Sequence, residues 1–420
     1  MSVLVSQESN DDPLHLDVSF LQRRIEKLEA ENGRLRFLLS SCSCPKSMCD
    51  RLLPTSSTKN DSISERIRTS DLLDIDKTTN TRFVALKIMY FGKRFHGFAS
   101  DANVEPTVES ELFKALKKTK LLTNDRKEAH YSRCGRTDKG VSAVGQVVAL
   151  SLRSKVKKLN SKELSLEDIH HEDDIGIEID YPKVINKALP DDIRVLGWCP
   201  VTPDFNARFS CLFREYKYFF WGEHLDLKAI ENAGQRFIGE HDFRNFCKMD
   251  AKNVHNYKRH VTFFSVSSCG PRIDDVHQLC AVTIKGSAFL WHQVRCMVAV
   301  LFMIGQGLES PYIIDTLLDV ERIDRKPQYS MAPEIPLVLH SCGFKDLTFF
   351  CSADVERSLK SHLKTQYLGY NLQAQIFKEG AASLAHDGRE VRKLAHIPLL
   401  FRQTEPSYVE RRALNSKRSN

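Results

Sequence analysis

The chain has 420 residues, 42% of them hydrophobic and 27% charged, with a net charge of +7. Length and composition exclude a fibrous or wholly disordered protein and suffice for one large or two ordinary domains around a sizeable core. Met1–Pro13 lacks the apolar stretch of a signal peptide, and the most apolar run, Met297–Gly305, is too short to span a bilayer, so neither secretion nor membrane insertion is expected.

In chain order, the first pattern lies between Val18 and Leu39. There Val18, Leu21, Ile25, Leu28, Leu35 and Leu39 alternate three and four apart, with Asn32 in the remaining core slot. This is a heptad pattern, and an Asn at such a position fixes register in a parallel pair. Packing of the same helix on its own domain is the other reading. Ser40–Asn80 is rich in Ser, Thr, Asp and Lys and poor in aromatics, which predicts a flexible linker. Its Cys42, Cys44 and Cys49 lack a paired second knuckle or nearby His, so no metal site is expected there. Twelve cysteines without a leader suggest reduced thiols in an intracellular compartment.

From Arg82 the chain alternates strand-like and helix-like segments. Val84 to Tyr90 alternates as a strand, and Thr107 can cap a helix bearing Val108, Leu112, Ala115 and Leu116. Gln146–Leu152 is rich in β-branched residues, and the charged Lys155–Asp180 stretch resembles a surface loop. Phe213–Trp221 alternates strongly, placing Arg214, Tyr216, Tyr218 and Phe220 on one face. Strands at His260–Cys269 and Leu279–Lys285 precede a helix from about Trp291 to Gly305 and another opened by Ser310 and Pro311. The expected class is α+β, with too few regular βαβ units for a doubly wound sheet.

One run stands apart: Arg133-Cys134-Gly135-Arg136-Thr137-Asp138-Lys139-Gly140-Val141-Ser142, a loop feeding a strand. A phosphate-cradling loop would need Lys and Ser or Thr after its second Gly, whereas Lys139 precedes Gly140 and Val141 follows it. Arg136 and Lys139 would favour the charged form of Asp138, suiting it to attack as a nucleophile or to stabilise a cation. Gly135 and Gly140 would let the backbone bend and a large substrate approach. By local chemistry alone Asp138 is equally a turn residue paired with Arg136. Cys134 has no adjacent base and reads as a buried small hydrophobe.

Gly135–Ala143 followed by Gly145-Gln146-Val147-Val148 resembles the signature of the TruA family of tRNA pseudouridine synthases. The resemblance runs in order through Tyr90-Phe91-Gly92, His96-Gly97-Phe98, Asn186–Ile193, Phe205–Ser210, Arg214–Tyr218, Phe289–Arg295 and a closing segment around Leu337–Phe344, covering roughly residues 82–350. It implies a curved, mostly antiparallel central sheet of two related halves flanked by helices, with the active site in a basic cleft between them. It also implies that Asp138 is catalytic, that Arg136 fills or braces the place of a flipped-out base, and that Tyr216 stacks on that base. Phe289 would be a hydrophobic wall of the cleft, and Arg295 a partner for the carboxylate or a phosphate.

The implied reaction breaks the N1 glycosidic bond of uridine, rotates the base and joins C5 to C1′. One carboxylate serves by attacking C1′, by attacking C6 or by helping to form a glycal. No metal or small-molecule cofactor is expected. Lys139 and Ser142 depart from the family's bacterial pattern, as does Phe98-Ala99, so bacterial RNA contacts do not carry over there. Ser132-Arg133-Cys134, Leu152-Arg153-Ser154 and the N-terminal helix resemble the eukaryotic branch acting on uridines 38 and 39 of the tRNA anticodon arm. The alternatives are a sister branch with broader tRNA targets, or a non-catalytic tRNA-binding protein with a dimerising coil.

The expected division is a disordered N-terminus at 1–17, a coiled coil at 18–40, a flexible linker at 41–81 and a catalytic domain at 82–350. A helical region packed on that domain follows at 351–407, then a basic tail at 408–420. The expected partners are tRNA and a second copy of the chain, in the nucleus, the cytoplasm or both. The basic pairs Arg411-Arg412 and Lys417-Arg418 read either as a nuclear address or as solvated charge.

Overall fold

The computed structural model describes residues 29–30, 80–100, 104–122, 128–156, 177–270, 278–384 and 396–417. The chain divides into two units, Met1–Ile75 and Asp76–Asn420. In the first unit only Glu29 and Ala30 are described, both helical and exposed. The rest of the expected coil, the linker with its three cysteines, and residues 157–176 of the charged stretch lie outside the described residues.

The second unit is built on one sheet. Its strands are β1 (Thr81–Tyr90), β2 (Ser132–Arg133), β3 (Ser142–Arg153), β4 (Ile193–Pro200), β5 (Phe213–Trp221), β6 (Gly239–Asp242), β7 (Lys258–Ser268), β8 (Leu279–Gly286) and β9 (Leu337–Gly343). They lie in the order β4-β1-β3-β9-β5-β8-β7-β6, with β2 pairing β3. Every pairing is antiparallel except β3 with β9, a short parallel joint of Ser142 with Val338 and Ala143 with Leu339. The mostly antiparallel α+β sheet agrees with the sequence reading.

Two separate cores sit on either side of that joint. One is built around Leu86, Ile88, Leu112, Leu116, Val148 and Trp198, and the other around Tyr218, Phe237, Phe264, Ile284, Met297 and Val300. The first takes in helix α1 (Val108–Lys118), which starts where its sequence says it should. Thr107 Oγ1 accepts from Ser110 N at 3.1 Å and Thr107 N donates to Ser110 Oγ at 3.2 Å, a reciprocal cap contributing about 1 kcal/mol. A short helix α2 (Tyr181–Asn186) and then α3 (Leu227–Gly234) follow. The second core is filled by α4 (Gln293–Gly305), apolar on nearly every face and accordingly buried, with α5 (Ile313–Leu318) beside it. Tyr216 of β5 packs against both cores.

Helix α6 (Ala353–Ala382) fully buries only Val355 and Leu359 among its 30 residues; His362, half-buried, reaches Asp191 O at 2.9 Å, and the helix is exposed beyond Gln366. Residues 408–417, read from sequence as tail, form a helix α7 (Tyr408–Lys417). Its cause is a capping box hidden in a basic stretch: Ser407 N donates to Glu410 Oε2 at 2.7 Å and Glu410 N to Ser407 Oγ at 3.3 Å. No helix among the described residues is long and apolar enough to cross a membrane.

Candidate active site

The parallel joint between β3 and β9 gathers the sequence-predicted residues. The loop carrying Asp138 ends at Ser142, the first residue of β3, while Tyr216 lies opposite Leu339 on the far side of β9. Motifs distant in sequence hold this loop. Phe98 N donates to Thr137 O at 3.1 Å, Gly140 N to Phe95 O at 3.2 Å, and Gln146 Nε2 to Gly135 O at 3.0 Å. The buried Tyr90 hydroxyl hydrogen-bonds Thr137 Oγ1 at 2.7 Å.

Two glycines are dictated by this packing. Gly97 has φ +98°, and a Cβ there would lie 2.9 Å from Thr137 O and 3.4 Å from Asp138 C. Gly140 has φ +81°, with the Glu334 side chain where its Cβ would point. Gly135 differs from the expectation of a required bend: its backbone avoids the left-handed region and open space surrounds the Cβ position.

The remaining family-like segments brace the loop from behind. Glu109, fully buried on α1, pairs with Arg133 at 2.6 Å. Burial pushes its carboxyl up, but the Ser100 N–H, Tyr131 and Arg133 more than reverse this and hold it below the usual range. Ala207 N donates to Ser132 Oγ at 3.0 Å, and Arg214 Nη2 donates to Cys134 O at 3.0 Å and Arg208 O at 2.7 Å. Asn186 closes α2 onto β4 through Val195, at 2.8 and 2.9 Å.

Asp138 itself is partly buried, its side chain 28% exposed. Its Oδ1 accepts from the Trp291 indole N–H at 3.0 Å, and its Oδ2 lies 3.5 Å from His292 Nε2. Burial raises its pKa above the ordinary value, opposed by the Trp291 hydrogen bond and the Arg295 and Lys248 cations and reinforced by Glu334. This corrects the expectation that Arg136 and Lys139 hold the carboxylate ionised. Both side chains are exposed, and the cations that act most strongly on Asp138, Arg295 and Lys248, come from elsewhere in the chain.

Arg295, expected as a partner of the carboxylate or of phosphate, is held instead by Glu334 Oε2 at 2.9 Å and Ala332 O at 2.7 Å. It acts on Asp138 through space. Tyr216 and Phe289 meet edge to face, centroids 5.2 Å apart and rings at 87°. Phe289 in turn lies on Gly286, where a Cβ would be 3.1 Å from its ring. The Tyr216 hydroxyl is pushed well above its ordinary pKa, by burial first and by the Cys342, Tyr90, Cys134 and Asp138 charges after it. Asp138, Tyr216, Phe289 and Arg295 therefore surround one place, and exposed Arg136 lies on the same loop two residues before the acid.

Sequence reading missed Trp291, His292, Lys248 and Glu334. The helix expected from Trp291 starts two residues later, because His292 adopts the left-handed conformation at φ +62°. That turn directs Trp291 out of the helix and onto Asp138. Gln293 fixes it by accepting from Leu290 N at 2.8 Å, while Lys248 Nζ covers the Trp291 ring at 4.3 Å. Burial, together with Arg295, Lys248 and Lys326, pushes the His292 imidazole down to about 4, so it is neutral at neutral pH. The usable signal was a Trp-His-Gln step before an apolar helix, since His is enriched among non-glycine residues with positive φ.

A family model described as tRNA pseudouridine synthase matches residues 233–345. The tRNA pseudouridine(38/39) synthase of Bos taurus is 46% identical over 302 residues, covering 70% of this chain and 62% of its own length. The protein of the same name from Saccharomyces cerevisiae is 40% identical over 311 residues, covering 71% and 67% respectively. The tRNA pseudouridine synthase A of Methanosphaera stadtmanae is 32% identical over 292 residues, covering 68% of this chain and 93% of its own. The match thus spans less than two thirds of the Bos taurus relative and nearly all of the Methanosphaera one.

Proposed function

This chain belongs to the tRNA pseudouridine synthase family, and we propose that it is an isomerase converting uridine to pseudouridine at positions 38 and 39 of the tRNA anticodon arm. The observation that carries this reading is the environment of Asp138. A single partly buried carboxylate, raised in pKa by burial yet steadied by one N–H donor and two cations, lies beside an aromatic pair. A carboxylate made more basic by burial, and steadied in its charged form by an N–H donor and two cations, is suited to attack an electrophilic carbon.

The base must leave its stack for that attack. Tyr216, with Phe289 braced edge-on against it, supplies the face on which the flipped uracil stacks, and Arg136 occupies the vacated place in the stem. Arg295, anchored by Glu334, keeps a positive field on Asp138 without consuming its lone pairs. The N1–C1′ bond breaks, the ring turns and C5 bonds to C1′. The C5 proton is then lost and N1 gains one, so the product is an isomer of the substrate. The residues engage only the base, the sugar and the phosphates, and a cofactor has no part in the scheme.

The same proposal takes the two cores as related halves of the catalytic body. It takes 18–40 as a coil pairing two copies and places the protein in the nucleus, the cytoplasm or both. It is tested by incubating the purified chain with an unmodified tRNA transcript and mapping pseudouridine by carbodiimide adducts and primer extension. Modification confined to 38 and 39 is expected. Modification outside the anticodon arm would assign the broader-specificity branch, and tRNA binding without any pseudouridine would overturn the enzymatic reading.

A further inference from the structure

Behind the catalytic loop lies a third, smaller core, and three of its sulfurs converge. Cys134 opens the loop four residues before Asp138, Cys211 precedes β5, and Cys342 lies near the end of β9. Their Sγ atoms all lie within 4.8 Å of one another, although the residues come from three segments far apart in sequence. Cys134 and Cys211 are buried and Cys342 is half-buried. We propose that these three cysteines form a three-sulfur binding site for a soft d10 cation of the copper(I) class.

The geometry is close to what such an ion requires. Three sulfurs at about 2.3 Å from a shared centre, in a trigonal plane, stand about 4 Å apart, so the side chains need only draw inward slightly. Thiolates are soft ligands that favour copper(I), whereas a structural zinc ion calls for four ligands. Among the described residues no His or carboxylate joins this group. Arg214 offsets part of the negative charge that three thiolates and a monovalent ion leave. Its guanidinium is tied to the backbone of two of the three segments, donating to Cys134 O at 3.0 Å and Cys211 O at 3.4 Å, so it is fixed beside the sulfurs. Cys199 offers a contrast: it is buried in the same small core yet stands outside the sulfur trio, as an ordinary packed thiol would.

Binding converts the three thiols to thiolates, releases their protons to solvent and leaves the oxidation state of sulfur and metal unchanged. The ion would join the start of the catalytic loop to the segment before β5 and to β9. It takes no part in the isomerisation.

The test is a titration of the reduced full-length protein with copper(I) against a chromophoric competing chelator, with zinc(II) in parallel. It is run in a background where Cys42, Cys44 and Cys49 are all changed to Ser. A single copper(I) per chain is expected, held more tightly than zinc(II). Affinity should fall at least about 100-fold in Cys134→Ser, Cys211→Ser and Cys342→Ser, more than the loss of an outer-shell partner costs, and stay unchanged in Cys199→Ser. X-ray absorption on the background protein, which needs none of the three variants to fold, should give three sulfur neighbours. Copper(I) uptake indifferent to all three cysteines, fewer than three sulfurs around the ion, or a disulfide joining two of them in the isolated protein would each overturn the proposal.

Discussion

Replacing Trp291 by Phe removes the one indole N–H that reaches Asp138 while keeping a smaller aromatic ring under Lys248. The bond lost is the indole N–H to Oδ1 at 3.0 Å. Hydrogen bonds to charged groups contribute about 1.5–3 kcal/mol, and the low end applies here because Trp291 is 48% exposed and the Asp138 side chain 28%. About 1.5 kcal/mol is close to a tenfold change in the protonation equilibrium of the carboxyl. Burial already raises the Asp138 pKa and the indole opposes it, so without the indole the proton is held to higher pH. Single-turnover release of tritium from C5-labelled uridine in tRNA, followed across pH, should show the acid limb displaced upward in Trp291→Phe. The rate on that limb should fall about tenfold, with a far smaller change on the alkaline plateau. An equal loss at every pH would mean that Trp291 positions the substrate rather than tuning the acid. An unmoved limb would refute the reasoning outright.

Gly97→Ala forces a side chain into φ +98° and against Thr137 O, so it should destabilise the fold by about 1–3 kcal/mol and lower the thermal midpoint, with turnover falling alongside. Tyr216→Ala should reduce turnover about ten- to hundredfold with little change in tRNA affinity, and Tyr216→Phe should be milder; equal losses in both would move the role from the ring face to the hydroxyl. His292 has a folded pKa of about 4 against an ordinary 6.5, so only the unfolded chain takes up its proton between those values. Its stability contribution is complete above pH 6.5 and is lost as pH falls toward 4. Allowing for partial solvent screening, the loss is about 2 kcal/mol, and urea unfolding of His292→Asn should lack that part of the acid destabilisation.

What could be read from the sequence was whatever is locally determined. Thr107 and Ser110 are three residues apart and cap α1 by themselves, and β5 declares its two faces through nine alternating residues. The charge density around Asp138 likewise marked the acid itself. What could not be read was its surroundings, because Trp291 reaches Asp138 across 153 residues of sequence and Lys248 arrives from a different loop again. Sequence adjacency made Arg136 and Lys139 the natural partners of the acid, yet both are exposed and the cations that act most on it are Arg295 and Lys248. Arg295 was singled out from the motif, and its charge acts on Asp138, while its anchor Glu334, in an irregular stretch before β9, carried no periodic signal. The sulfur trio was equally invisible, since only the β5–β9 pairing and the Arg214 brace bring its members together.

Asp138→Asn is the most direct test of the whole scheme, since the amide keeps the size of the side chain and an oxygen for the Trp291 N–H but cannot attack carbon. Pseudouridine formation on anticodon-arm RNA and tRNA affinity should be measured on the same preparation, with circular dichroism to establish that it is folded. The result expected is no pseudouridine above background with affinity unchanged, because phosphate contacts to basic side chains carry most of the binding. Turnover retained in the folded variant would contradict the assignment of Asp138 as the catalytic group.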